Sequence, residues 1–138
     1  MSCFTSTIHV RFGHVDPAGI VYYPRIYDYI HEVFESMWEE HVGQDYHDLL
    51  LNRRIGFPLA HSEVDFKAPL KFGSHPKVQA TCTKLGNASL GMRYRFMLDG
   101  VLCVDARMTT VCVNTKTMKS MRFPDEFRAS FESIMEPE

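Results

Sequence analysis

One loop, GHVDPAGIVYYP at residues 13–24, carries most of the chemistry this chain can offer. Asp16 precedes Pro17, and a residue before proline is pushed away from helical backbone. Gly19 can adopt positive φ or let a ligand come close to the main chain. Pro24 suits the first turn of a helix, where its missing N–H costs nothing. The pattern therefore places a carboxylate in a structured loop beside a helix N-terminus. Such a terminus has unpaired N–H groups and positive potential. It can polarise a carbonyl oxygen as negative charge develops there. Asp16 can then attack the carbonyl, or activate a water that does. That pairing is enough for ester or thioester hydrolysis without a metal. The plainer alternative is that Asp16 only shapes a turn, because Asp-Pro is a common turn opener.

Other hydrolytic machinery is missing. There is no GxSxG elbow, no HExxH and no GxxxxGK[ST] phosphate loop. His14, Asp16, His31 and His61 are too scattered to predict a metal site, and no cofactor is expected.

The elements around the loop follow from periodicity. Ser6–Phe12 alternates, with Ile8, Val10 and Phe12 on one face, as a half-buried strand does. After the loop, Ile26, Ile30, Val33, Phe34, Met37 and Trp38 recur at helical spacing while the acidic residues lie largely off that stripe. This predicts one long amphipathic helix from Pro24 to Val42, stopped by Gly43. A shorter helix is expected over Gln44–Asn52. Four strands follow, over Leu59–Lys67, Lys77–Leu85, Ala88–Leu98 and Val101–Val113, with Asp99-Gly100 as a tight turn. Val101–Val113 is apolar on both faces, as a central strand would be. Pro124 can open a last helix reaching Ile134. The helix stripe must be buried against something, and an antiparallel sheet of five strands is the available partner. The fold class is thus α+β, a five-stranded antiparallel sheet wrapped around one long central helix.

With 138 residues the chain fits one domain, residues 1–138, by the prior of about 100–200 residues per domain. The formal net charge is −2, with no basic tail and no run of like charges, so neither nucleic acid nor an anionic membrane is expected as a partner. Cys3, Cys82, Cys103 and Cys112 form no CxxC pair. Cys82 and Cys112 read as small core residues. With no basic, apolar leader at the N-terminus, this points to a reducing, cytoplasmic setting.

From Asp16 to Pro24 the run DPAGIVYYP resembles the 4-hydroxybenzoyl-CoA thioesterase family of hotdog-fold acyl-CoA thioesterases. The segment IGFPLAHSEVDFKAPLKFGS, from Ile55, is similar to the strand that follows the helix in that family. The resemblance implies a hotdog fold and hydrolysis of an acyl-CoA to free acid and CoA, with an aromatic or compact acyl group favoured. It implies a homo-oligomer as well, a dimer or a dimer of dimers (a homotetramer), with its sites between subunits.

By the same resemblance Asp16 is the nucleophile or general base, and the Tyr23 N–H polarises the carbonyl, since Pro24 has none. Gly19, Ile20, Val21 and Tyr22 are implied to bind substrate. His61 matches a histidine found in members that act on 1,4-dihydroxy-2-naphthoyl-CoA. A bacterial branch of the family holds CoA phosphates with an arginine pair at the turn that is Gly86-Asn87 here. In its absence that task falls to Lys84, Arg93 or Lys77, or to the partner subunit. The alternatives are a non-catalytic module of this fold that binds acyl-CoA or an acyl-carrier protein, and a hydratase using His14 with Asp16.

Overall fold

The computed structural model describes residues 2–137. Strand β1 (Phe4–Thr7) leads to a 3-10 turn (Phe12–His14) and then to helix α1 (Arg25–Met37). The helix runs on as a π turn (Trp38–Val42) and stops at Gly43, whose φ of 83° is left-handed. Helix α2 (Tyr46–Leu51) is capped by the Asp45 carboxylate, which accepts the Asp48 N–H. The later strands are β2 (Ile55–Gly56), β3 (Leu59–Phe66), β4 (Lys77–Leu85), β5 (Ser89–Leu98), β6 (Val101–Val111), β7 (Val113–Asn114) and β8 (Lys119–Ser120). Helix α3 (Asp125–Glu132) closes the chain.

The main sheet is antiparallel with order β1-β4-β5-β6-β3, and a small sheet β2-β7-β8 lies beside it. The α1 stripe (Ile26, Tyr29, Ile30, Val33, Phe34, Met37) is buried in one cluster with Val78, Ala80, Leu90, Met92, Tyr94, Phe96, Val104 and Ala106 of the sheet. Each such large apolar side chain contributes about 1.5–3 kcal/mol on burial. This is the hotdog arrangement, a sheet curled around one helix. Asp99 and Gly100 both have positive φ (50° and 78°), as a tight two-residue hairpin turn requires. Trp38 packs on Tyr46, Phe57, Phe123, Phe127 and Phe131, which joins both short helices to α1.

Two features depart from the sequence reading. Ile8 and Val10 are buried as expected, but Phe12 is 77% exposed. The 3-10 turn removes it from the strand's alternation. The chain's end also does more than form a helix. The Cys82 N–H donates to the Ile134 carbonyl and the Glu136 N–H to the Cys82 carbonyl. The tail thus covers the β4 edge beyond the reach of β1. At the opposite side of the sheet β3 pairs with β6 alone, and its outer edge has no strand partner among the described residues.

Candidate active site

The loop between β1 and α1 folds as a miniature hairpin. Val15 bridges Val21, the Asp16 N–H donates to the Ile20 carbonyl and the Gly19 N–H to the Asp16 carbonyl. Gly19 turns the chain with φ of 78°, a conformation that strains any residue with a Cβ. The Val21 N–H then donates to the Leu70 carbonyl, which fixes the hairpin to the segment after β3. His14 ties the loop to the helix. Burial pushes the Tyr29 hydroxyl up to about 12, so it stays protonated and donates to His14 Nδ1 at 2.9 Å. The Arg11 N–H donates to the same nitrogen. Nδ1 is therefore an acceptor and Nε2 carries the ring proton. No hydrogen bond joins His14 to Asp16 among the described residues, which gives the hydratase pairing no support.

Asp16 lines a cavity of about 450 Å³ with Ile20, Val21, Tyr22, Tyr23 and Ile26 on one side. Residues 66–70 (Phe66, Lys67, Ala68, Pro69, Leu70) and Val104 form the other. One carboxylate oxygen of Asp16 accepts the Ala18 N–H at 2.9 Å, and the other has no donor among the described residues. At the helix start the N–H groups of Val21, Tyr22, Arg25, Ile26 and Tyr27 all find carbonyls. Tyr23 N–H finds none among the described residues, and Pro24 has none to give. An uncommitted carboxylate oxygen and an uncommitted N–H thus belong to residues of one cavity. Tyr23 and Phe66 meet edge to face at 6.5 Å, both half exposed or more, and Lys67 supplies the cavity's cation.

The other residues singled out from sequence lie elsewhere. His61 is on β3, paired with Glu63 at 3.2 Å and opposite Thr109. Its neighbour Ser62 reaches the helix through Tyr27, so His61 points from the other face of the sheet. Lys84 and Arg93 are outside the cavity too. Arg93 makes a two-pronged ion pair with Asp105 (2.9 and 2.7 Å) and approaches Glu136. The wall from Phe66 to Leu70 was missed by sequence reading. Its one signal was Ala68-Pro69, a break in a strand pattern.

A second cavity, of about 330 Å³, opens at the far end of β3. Tyr27, His31, Phe34, Phe57, Leu59 and Thr110 are among its lining residues. Among the described residues no helix is long and apolar enough to cross a membrane, and no cluster of three or more His, Cys, Asp or Glu could hold a metal.

Residues 10–131 match the family model of the thioesterase-like superfamily. A 1,4-dihydroxy-2-naphthoyl-CoA hydrolase from Nostoc punctiforme is 28% identical over 123 residues, covering 89% of this chain and 82% of that protein. A thioesterase superfamily structure from Jannaschia sp. CCS1 superposes with a TM-score of 0.91 at 29% identity, covering 99% of this chain and 95% of that one. The structure of a gentisyl-coenzyme A thioesterase gives 0.84 at 27% identity, covering 93% and 99%. With the hotdog architecture in place and nearly the whole chain matched, this protein belongs to the thioesterase-like superfamily.

Proposed function

We propose that the protein hydrolyses acyl-CoA thioesters, with Asp16 as the reacting carboxylate and the Tyr23 N–H as the oxyanion donor. The observation that carries this reading is the pair of uncommitted groups on one cavity, the second Asp16 oxygen and the Tyr23 N–H. Either Asp16 attacks the thioester carbon itself or it takes a proton from a water that attacks. In both routes the carbonyl oxygen becomes an oxyanion beside the Tyr23 N–H, where a donor needs no reorganisation. The carbon–sulfur bond then breaks, CoA leaves as thiolate and is protonated, and the acid remains. In the direct route, water must afterwards cleave an Asp16–acyl anhydride.

An aromatic or compact acyl group suits the cavity. Tyr22, Tyr23 and Phe66 supply flat apolar surface, and the ring of such an acyl group would bury against them. The relatives that act on dihydroxynaphthoyl-CoA and gentisyl-CoA support the same class. The free β3 edge supports a homodimer in which two copies of β3 pair antiparallel. A two-fold axis there would set the Phe66 end of one strand beside the Leu59 end of the other. The first cavity of one subunit would then open toward the second cavity of its partner. Three buried, unbridged cysteines fit a reducing cytoplasm.

Free-thiol release over aromatic, short-chain and long-chain acyl-CoAs, run with Asp16→Asn alongside, tests the reading. Turnover on one class, lost in the variant, supports it. Binding of these esters without hydrolysis would favour a non-catalytic module. Single turnover in H₂¹⁸O tests for the direct route with attack at the aspartyl carbon, since label enters Asp16 only if an anhydride forms and water attacks it there. Trapping the acyl-enzyme detects the anhydride when water attacks the acyl carbon instead. Sedimentation at the dimer mass, or a multiple of it, checks the assembly.

A further inference from the structure

Beside the Asp16 loop lies a surface of unusual composition. Residues 2–15 contain no carboxylate and neither do residues 66–98, although the chain has 17 acidic residues in all. The fold places these two segments against each other. β1 pairs with β4, and beyond it the Ile8 and Val10 N–H groups donate to the Pro76 and Ser74 carbonyls. The Gly73 N–H returns to the Val10 carbonyl. Arg11, Lys71 and Lys77 on these segments take part in no ion pair among the described residues. His9 stacks on His75 between them, with ring centroids 4.3 Å apart. The result is a cationic surface on a protein of net negative charge.

Two phenyl rings stand out from it. Phe12 is 77% exposed and Phe72 53%, and their centroids are 5.7 Å apart. Folding normally puts such rings inside, so a fixed exposed pair points to something that covers it. The backbone keeps them out. The 3-10 turn takes Phe12 off the buried face that Ile8 and Val10 share. Phe72 is held by its N–H to the Gly19 carbonyl at 2.9 Å, next to a bridge between Lys71 and Ile20. Each ring directly follows an unpaired cation, Arg11 and Lys71. Through Gly19 and Ile20 the pair is joined to the same hairpin that carries Asp16.

We propose that this surface binds the adenine nucleotide end of the CoA substrate, the base against Phe12 and Phe72 and the phosphates beside Arg11 and Lys71. The proposal rests on the acyl-CoA reading above. A nucleotide matches both halves of the surface. Its base offers a flat face that stacks on aromatic rings, and its phosphates offer the charge that unpaired cations attract. An apolar partner would use the rings and leave the cations idle. Of the positions expected from sequence to hold phosphate, Arg93 serves less well, because it is committed to Asp105 and Glu136 on the sheet's outer face, whereas Lys77 belongs to this surface.

The test compares one aromatic acyl group carried on CoA and on pantetheine, which lacks the nucleotide. Wild-type protein should prefer the CoA ester in kcat/KM. In the double variant F12A/F72A that preference should fall about tenfold, through KM for the CoA ester. Lys71→Ala should lower it as well and flatten its dependence on salt. Loss of activity on both esters in equal measure, or an unchanged preference, would overturn the proposal. Calorimetric titration with adenosine 3′,5′-bisphosphate reads the surface without any turnover. Binding by wild type that F12A/F72A loses supports the subsite even if no thioester is cleaved. Equal binding by both, or none by wild type, rejects it, and a dimer-to-tetramer shift caused by F12A/F72A would assign the rings to a second copy instead.

Discussion

Two regions of this sheet-and-helix unit use charged side chains in opposite ways. On the outer face of the sheet Arg93, Arg95, Asp105, Glu136 and Thr81 are gathered into one paired group. Arg93 grips Asp105, Arg95 meets Glu136 at 3.0 Å, and the Thr81 hydroxyl donates to Glu136 at 2.6 Å. These groups are largely withdrawn from water. Around the cavity at the start of α1, by contrast, Asp16 keeps one oxygen free and Tyr23 keeps its N–H free. A paired network of this kind holds the structure together, even though Arg95 Nη1, buried beside Glu136, makes no hydrogen bond among the described residues. Vacant partners in a preformed loop cost stability and are what a reaction requires.

The sharpest way to break this contrast is to neutralise Asp16. Asp16→Asn should lower kcat by about 10³-fold in the thiol-release assay, a loss at the scale of a reacting acid or base. Its urea midpoint should stay close to wild type, because the remaining carbonyl oxygen can still accept the Ala18 N–H. A folded variant with near-normal turnover would make Asp16 a turn residue.

On the outer face the expectation reverses. Asp105→Ala leaves a partly buried guanidinium short of its main partner, and should cost about 2 kcal/mol in urea unfolding with kcat largely kept. A larger loss of rate than of stability would mean that the two regions are not separate.

Acid titration sharpens the point. Burial works to raise the Glu136 carboxyl, but the Thr81 hydroxyl and the Arg95 and Arg93 guanidinium groups hold it below its ordinary value. The hydrogen bond from Arg93 holds Asp105 low in the same way. A carboxylate lowered in the folded state adds stability above its unfolded value, and that stability is lost as pH falls through the folded one. Glu136→Gln should therefore be less stable than wild type near neutrality. The gap should close as pH drops below about 4, read from unfolding curves at a series of pH values.

The smallest effect belongs to the stacked histidines. Desolvation, then His75 and nearby Arg11 and His14, hold His9 below its ordinary value. The folded state then favours neutral His9, so this contribution is present above the ordinary histidine value and is lost as pH falls below it through the lowered folded one. In His75→Ala the His9 titration, followed by NMR, should move up.

Local patterns made most of the architecture legible. The spacing of Ile26, Ile30, Val33, Phe34 and Met37 gave the helix, and Gly43 its end, because one face of a helix must be apolar wherever it packs. Alternation gave the buried face of β5, and Asp99-Gly100 its turn. Asp16 and the helix start also came from neighbouring residues. What stayed hidden depends on contacts between distant parts of the chain. Nothing near Glu136 says that it will lie on Arg93 and Arg95. The wall from Phe66 to Leu70 meets the loop only through the fold. Arg93 read as a free cation because its partner, Asp105, sits on the next strand. His61 was expected at substrate, whereas the bulge between Leu59 and His61 helps set which face it takes.

Trp38 has a practical consequence. It is the chain's single tryptophan, fully buried where the π turn meets Phe123, Phe127 and Phe131, and its indole N–H has no acceptor among the described residues. Selective excitation of that indole therefore samples one junction of the molecule. A blue emission maximum signals that α3 is seated, and a red shift signals that it has peeled away and water has entered. Titrating substrate should leave that colour unchanged while the cavity fills, which makes Trp38 an internal gauge of the C-terminal latch that is independent of catalysis.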